Sequence, residues 1–297
     1  MEGGVETSDS TEQVNESHSN NFEATVIKLK GGGGKVELNE IINRLAEQVK
    51  DVEQVITANK PQYIPSIGTA KEEAIVRLLV SKWAEKHPNE LPNIILGDRR
   101  KIDDGCFEIS YPNRNSIRLD FGFSSSTALD GADYKNNLEW AIEFKKINWA
   151  GDTGVDMSER AVGKLCSPFS STGPILEDAL RVCQHTHGKR HAVILLSPDI
   201  LLSQLEKCKT HSLRNQLWYP DSTDPKYQTN DRFKTLSGTF KKNNDVPFTA
   251  KPLLPFVEKI FDYNDIKYSD YVIREISGLS RHPVYSNLTL IGWEIFS

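Results

Sequence analysis

The stretch LEWAIEFKK, residues 138–146, decides how the chain is read. A period of two puts Trp140, Ile142 and Phe144 on one side of a strand and Glu139, Ala141, Glu143 and Lys145 on the other. Two readings of the second side are open. Either it faces water and Glu143 with Lys145 is a surface pair worth about 0 to 1 kcal/mol, or the carboxylate and the ammonium are set there for chemistry. Only the surrounding sequence separates these readings.

Downstream of a polar leader, the order of elements is informative. GTAKEEAIVRLLVSKWAEKH predicts a helix with Val76, Leu79, Val80 and Trp83 on one face and Glu72 one turn before Val76 on that face. Glu72 either frays toward solvent, where its charge favours the helix amino terminus, or points into a site. Three alternating runs follow: CFEISYP (106–112), SIRLDFGF (116–123) and LEWAIEFKKI (138–147), with the first two joined by a Pro-Asn-Ser turn. They predict a three-strand meander. In the second run Ile117, Leu119, Phe121 and Phe123 share a face, which leaves Arg118, Asp120 and Gly122 on the other. As neighbours, these strands bring Asp120, Glu143 and Lys145 to a common face. ILEDALRVCQHTHG then predicts a helix, and the unbroken apolar run RHAVILLSP a strand covered on both sides. The sum is an α/β chain with a mixed central sheet flanked by helices.

This order, with Asp120 in RLDFG and Glu143 and Lys145 in IEFKK, resembles the PD-(D/E)xK nuclease superfamily, whose restriction endonuclease-like core runs αβββαβ. The resemblance spans residues 68–198. It implies that Glu72 on the first helix joins the acidic set, and that Leu119 stands where the family often has proline. Phosphodiester hydrolysis needs a nucleophilic water near neutral pH and a neutraliser for charge growing on the phosphate, both of which Mg2+ supplies. Asp120, Glu143 and the backbone carbonyl of Phe144 are the expected hard oxygen ligands, with Lys145 orienting the attacking water, helping its deprotonation and stabilising the phosphate.

The rest of the chain frames this reading. At 297 residues and 38% hydrophobic content it is long enough for a substantial core. No apolar run of about 18 residues is present, and the amino terminus lacks the basic and apolar regions of a secretion signal, so a cytoplasmic protein without membrane contact is expected. Four well-separated cysteines without a CxxC fit reduced thiols. Residues 1–34 predict a disordered leader. Its KGGGGKV is a hinge rather than a phosphate loop, because the glycines are contiguous and no Ser or Thr follows Lys35. Residues 35–60 predict an amphipathic helix with the seam Leu38, Ile42, Leu45, Val49, Val52 and Ile56, which packs on its own domain or dimerises.

CQHTHGKRH holds zinc-binding residue types, but residues two apart on a helix do not face each other. The resemblance implies that Gln184, on the same helix, approaches the expected metal site, as a glutamine there does in some nuclease families.

A net charge of -5 does not announce a nucleic-acid binder, so contacts with DNA need local basic patches. Candidates are Lys164 in the long loop, Arg99 and Arg100 in GDRRK, and Lys241 and Lys242 among the phenylalanines of DRFKTLSGTFKKNNDVPFTAK. A solvated loop accounts for each of these as well. Residues 199–297, with helical runs DILLSQLEKCK and PLLPFVEKIFDY and a final strand NLTLIGWEIF, form an elaboration packed on the core.

The resulting expectation is a Mg2+-dependent endonuclease on double-stranded DNA, in restriction or genome defence, working as a homodimer. Alternatives are a repair or recombination nuclease, or a non-catalytic nucleic-acid-binding module that keeps the fold.

Overall fold

The structure, a computed structural model, describes residues 36–88, 94–96, 110–111, 114–123, 138–149, 158–166, 174–185, 188–201, 216–220, 229–230, 235–236, 240–244 and 248–296. The expectations for the leader 1–34 and for Arg99 and Arg100 lie outside these residues. The helices are α1 (Leu38–Val55), α2 (Glu72–Lys86), α3 (Ser158–Cys166), α4 (Ile175–Val182) and α5 (Leu254–Tyr263). The strands in the first half are β1 (Ile94–Leu96), β2 (Ser110–Tyr111), β3 (Arg114–Arg118), β4 (Phe121–Phe123), β5 (Leu138–Lys146) and β6 (Gly188–Asp199). Those in the second half are β7 (Gln216–Pro220), β8 (Thr229–Asn230), β9 (Thr235–Leu236), β10 (Phe240–Asn244), β11 (Lys267–Tyr268), β12 (Val272–Ser277) and β13 (Asn287–Phe296).

Seven strands make one mixed sheet in the order β1-β4-β5-β6-β13-β11, with β12 also paired to β13. Only β5 and β6 run parallel; every other pair in this sheet is antiparallel. A parallel pair requires a crossover, and α3 and α4 lie in it. Helices cover both faces. On one, α1 and α2 bury Phe121, Trp140, Ile142, Phe144, Ile194 and Leu290. On the other, α3, α4 and α5 bury Ala141, Val193, Leu195, Ile291 and Trp293. The run at 192–196 is therefore apolar throughout because β6 has no wet side. The strand 138–146 has none either, so the solvated-face reading of Glu143 and Lys145 is excluded: α4 covers them.

The predicted meander is built differently from expectation. Its first strand is β1, while β2 pairs with β3 in a separate hairpin. The predicted second strand breaks at Leu119 and Asp120, so Leu119 and Phe121, expected on one face, are buried on opposite faces of the sheet. The cause is visible in the hydrogen bonding. The N–H of Phe144, which a continuous neighbouring strand would engage with a backbone carbonyl, is taken at 2.8 Å by the Asp120 side chain. Asp199 and Ile200, expected at the start of a helix, close β6 and bridge to Phe248.

The seam of α1 packs inward. Leu38, Ile42, Leu45, Val49, Val52 and Ile56 are all buried within the chain itself, which corrects the expectation of a dimerisation seam. At about 1.5–3 kcal/mol for each such side chain, exposing six of them to reach a partner would forfeit on the order of the whole stability of a domain. The approach is close: a Cβ on Gly292 of β13 would stand 2.5 Å from Ile42 Cδ1. The final strand is likewise integral, since β13 pairs with β6 from His191 to Asp199.

Candidate active site

Acidic and basic side chains meet at the carboxyl-terminal end of β5. Asp120, in the break between β3 and β4, is anchored by the Phe144 N–H and lies against the Glu143 carboxylate. Glu72 opens α2 and accepts a hydrogen bond from the backbone N–H of Lys146, the last residue of β5. The Lys146 ammonium explains how α2 is aimed there. It donates to the carbonyls of Gly68 (2.8 Å) and Ala70 (2.6 Å), fixing the turn from which the helix departs. Gly68 is required in that turn, because a Cβ would stand 2.0 Å from the Tyr285 ring.

Glu143 is held from two sides. Arg181 of α4 grips it with a fork, Nε to Oε1 at 3.2 Å and a terminal nitrogen to Oε2 at 2.8 Å, and the Tyr111 hydroxyl donates to Oε1. The same Arg181 nitrogen reaches Asp178 Oδ1 at 2.6 Å, and Asp178 Oδ2 pairs with Lys145 Nζ at 2.7 Å. The side chains of Glu143 and Asp178 are each 1% exposed. Lys164 of α3 brings a further ammonium, 3.4 Å from the Lys146 carbonyl.

Burial and mutual repulsion shape the electrostatics. Asp120 is pushed well above the usual carboxylate range by burial, and then by the charges of Glu143 and Glu72. Burial also raises Asp178, to about 7, against the pull of Lys145 and Arg181. For Lys145, burial works downward, but Asp178 and Glu72 outweigh it, so its net shift is upward and it stays charged. Lys164 shifts the other way: burial lowers it, the nearby cations Lys145 and Arg160 add to this, and Glu72 opposes. Burial and the Glu143 charge raise Tyr111, which keeps it a donor.

The donor set suits a hard divalent cation. Asp120, Glu143 and Glu72 are oxygen donors whose mutual repulsion a cation would relieve. A carboxylate offers about four lone-pair positions; Glu143 uses two on Oε1 and one on Oε2, so acceptor capacity is left on Oε2. Among the described residues, no group of three His, Cys, Asp or Glu side chains stands in metal-ligand geometry.

Of the sequence-derived candidates, Glu72, Asp120, Glu143, Lys145 and Lys164 are thus brought together. Phe144 contributes its N–H to Asp120 and its ring to the α1–α2 face. Gln184 follows α4 in a turn, its N–H bonded to the Arg181 carbonyl. Lys241 and Lys242 lie on β10, paired with Tyr219 and Trp218 of β7, and β7 runs beside α3. His185 and His191 are buried, with a ring nitrogen of His191 3.1 Å from the His185 carbonyl. Tyr111, Asp178 and Arg181 were not singled out from sequence. The signal existed for Asp178: Ile175, Asp178, Ala179 and Val182 fall at i, i+3, i+4 and i+7, so an acid occupies a position in the buried stripe of α4.

No helix among the described residues is long and apolar enough to cross a membrane. Compared with protein-family models, with curated proteins and with solved structures, the chain matches none.

Proposed function

We propose that the chain is a Mg2+-dependent endonuclease that hydrolyses phosphodiester bonds of double-stranded DNA, with a restriction endonuclease-like core. One observation carries the reading: Glu72, Asp120, Glu143 and Lys145, drawn from a helix, a strand break and one strand, converge at a single strand end. The order α2, β1, β4, β5, α4, β6 adds support, being a helix, three antiparallel strands, a helix and a parallel strand.

Asp120 and Glu143 would hold the metal ion, with Glu72 beside them and the Phe144 carbonyl as a further oxygen donor. When bound, Mg2+ supplies charge neutralisation on the phosphate and a water acidic enough to attack near neutral pH. The chain's own residues do the rest. Lys145, kept protonated by Asp178, donates to a non-bridging phosphate oxygen and stabilises the charge that develops there. Lys164, 3.4 Å from the Lys146 carbonyl at the same strand end, brings a second ammonium for the phosphate charge. The β7–β10 ribbon, which carries Lys241 and Lys242 and runs beside α3, is the candidate contact with the DNA backbone.

Restriction or genome defence is the biological role we favour, with repair or recombination as the alternative. Cutting both strands asks for two such sites related by symmetry, hence a homodimer whose contact avoids the α1 seam. A second reading, a non-catalytic nucleic-acid-binding module, is favoured by the pairing of Glu143 with Arg181 and of Lys145 with Asp178, which neutralises the site internally. Supercoiled plasmid separates the two. The purified protein should nick or linearise it with Mg2+ and leave it intact with EDTA, while Asp120→Ala and Glu143→Ala should each reduce cleavage to background. Plasmid untouched by the wild type, yet bound by it, would establish the second reading.

A further inference from the structure

We propose that Arg181 and Asp178 are positioning residues for this hydrolysis: the Arg181 fork sets the Glu143 carboxylate, Asp178 sets the Lys145 ammonium, and α4 holds both as one unit. The inference rests on the nuclease reading and goes beyond it, because neither residue belongs to the acidic set or to the Glu-x-Lys pair.

Ile175, Leu176, Ala179 and Val182 are buried and anchor the helix to the sheet. An aspartate in the first turn favours the helix amino terminus through the dipole, but burying it is costly unless it is paired. Replacing buried ionic groups with apolar ones of similar volume is often neutral or stabilising, so packing gives no reason for an acid at 178. The contacts give one. Lys145 is a flexible side chain with about 2 kcal/mol of rotamer entropy, and the 2.7 Å pair with Asp178 Oδ2 fixes where its Nζ stands.

Glu143 presents the complementary case. Two carboxylate oxygens can rotate about the side-chain axis; three hydrogen bonds, two of them from Arg181, fix the plane. Arg181 also donates to Asp178 at 2.6 Å, so the supports of the acid and of the cation are one rigid array rather than two independent pairs. Supports of this kind hold reacting groups to the sub-ångström placement that chemistry requires.

The test uses the full chain. Asp178→Asn is nearly isosteric and keeps an acceptor for Arg181; Arg181→Lys keeps the charge and loses the fork. Each should lower kcat on plasmid about 10- to 100-fold, the range for residues that support a metal-site ligand, while KM for the duplex and the melting temperature stay near wild type. In a Lys145→Ala background, Asp178→Asn should cost no further activity, because it acts through Lys145. Calorimetry with Mg2+ alone should find affinity weakened by Arg181→Lys and unchanged by Asp178→Asn.

A variant that cleaves at the wild-type kcat, or losses that add in the double variant, would overturn the inference and leave the nuclease reading intact. So would a loss of activity that only tracks a lower melting temperature. If Arg181→Lys unfolds, Asp178→Asn and the Lys145→Ala background decide the matter alone. Wild-type protein that cleaves nothing with Mg2+ overturns the nuclease reading, and this inference with it.

Discussion

Burial sets Asp178 apart from an ordinary carboxylate. Its carboxyl is raised from 3.8 to about 7, with burial as the main cause. Below the unfolded value both states are protonated; between about 4 and 7 the folded chain keeps a proton that the unfolded chain has lost. This contribution to stability is therefore full at low pH and is lost as pH rises through the folded pKa. Asp178→Asn removes the linkage. Chemical denaturation of this variant should find stability at pH 8 equal to or above wild type, and a flatter profile between pH 4 and 7. Lower stability at pH 8 would mean that the pairs with Lys145 and Arg181 outweigh the cost of burial. A buried acid with a strongly shifted carboxyl is the type of residue that clusters at functional sites.

At the scale of elements, alternation and periodicity made much of the architecture legible. Trp140, Ile142 and Phe144 do oppose Glu143 and Lys145, the 192–196 run is a covered strand, and the predicted runs 252–263 and 287–296 hold α5 (from 254) and β13. What sequence could not supply depends on tertiary contacts. The three residues of β1 are too few for a period to register. The break at Asp120 exists because a side chain takes a backbone's place in the ladder, which no local pattern records. For the same reason, four of the site candidates could be named from the motif, whereas Arg181 and Tyr111 were invisible until the sheet brought them to Glu143.

The Gly68 turn is a second tertiary device. Gly68→Ala should push the turn away from Tyr285, cost about 1–3 kcal/mol as an overpacking change measured by denaturant unfolding, and displace Glu72 from the Lys146 N–H. A variant with wild-type stability would show that the Tyr285 ring yields.

At the scale of the molecule, an acidic protein of net charge -5 must meet DNA through local positive surface. Replacing Lys241 and Lys242 together with alanine should weaken binding to all duplex sequences alike. It should also reduce the magnitude of the slope of log affinity against log salt by roughly two, one for each lost phosphate contact; an unchanged slope would remove β10 from the interface. The seven-stranded sheet has an order unlike that of the chain. Its early helix α1 packs against α2 and also against β12 and β13, and Asn39 meets Arg274 across 235 residues of sequence. On the ribosome, then, the apolar stripe of α1 emerges long before the strands that will shelter it, and β6 waits uncovered along one edge. Chaperones have that interval in which to engage the stripe. A chain interrupted before β13 carries every catalytic residue, with β6 left unpaired along one edge of the sheet that supports them.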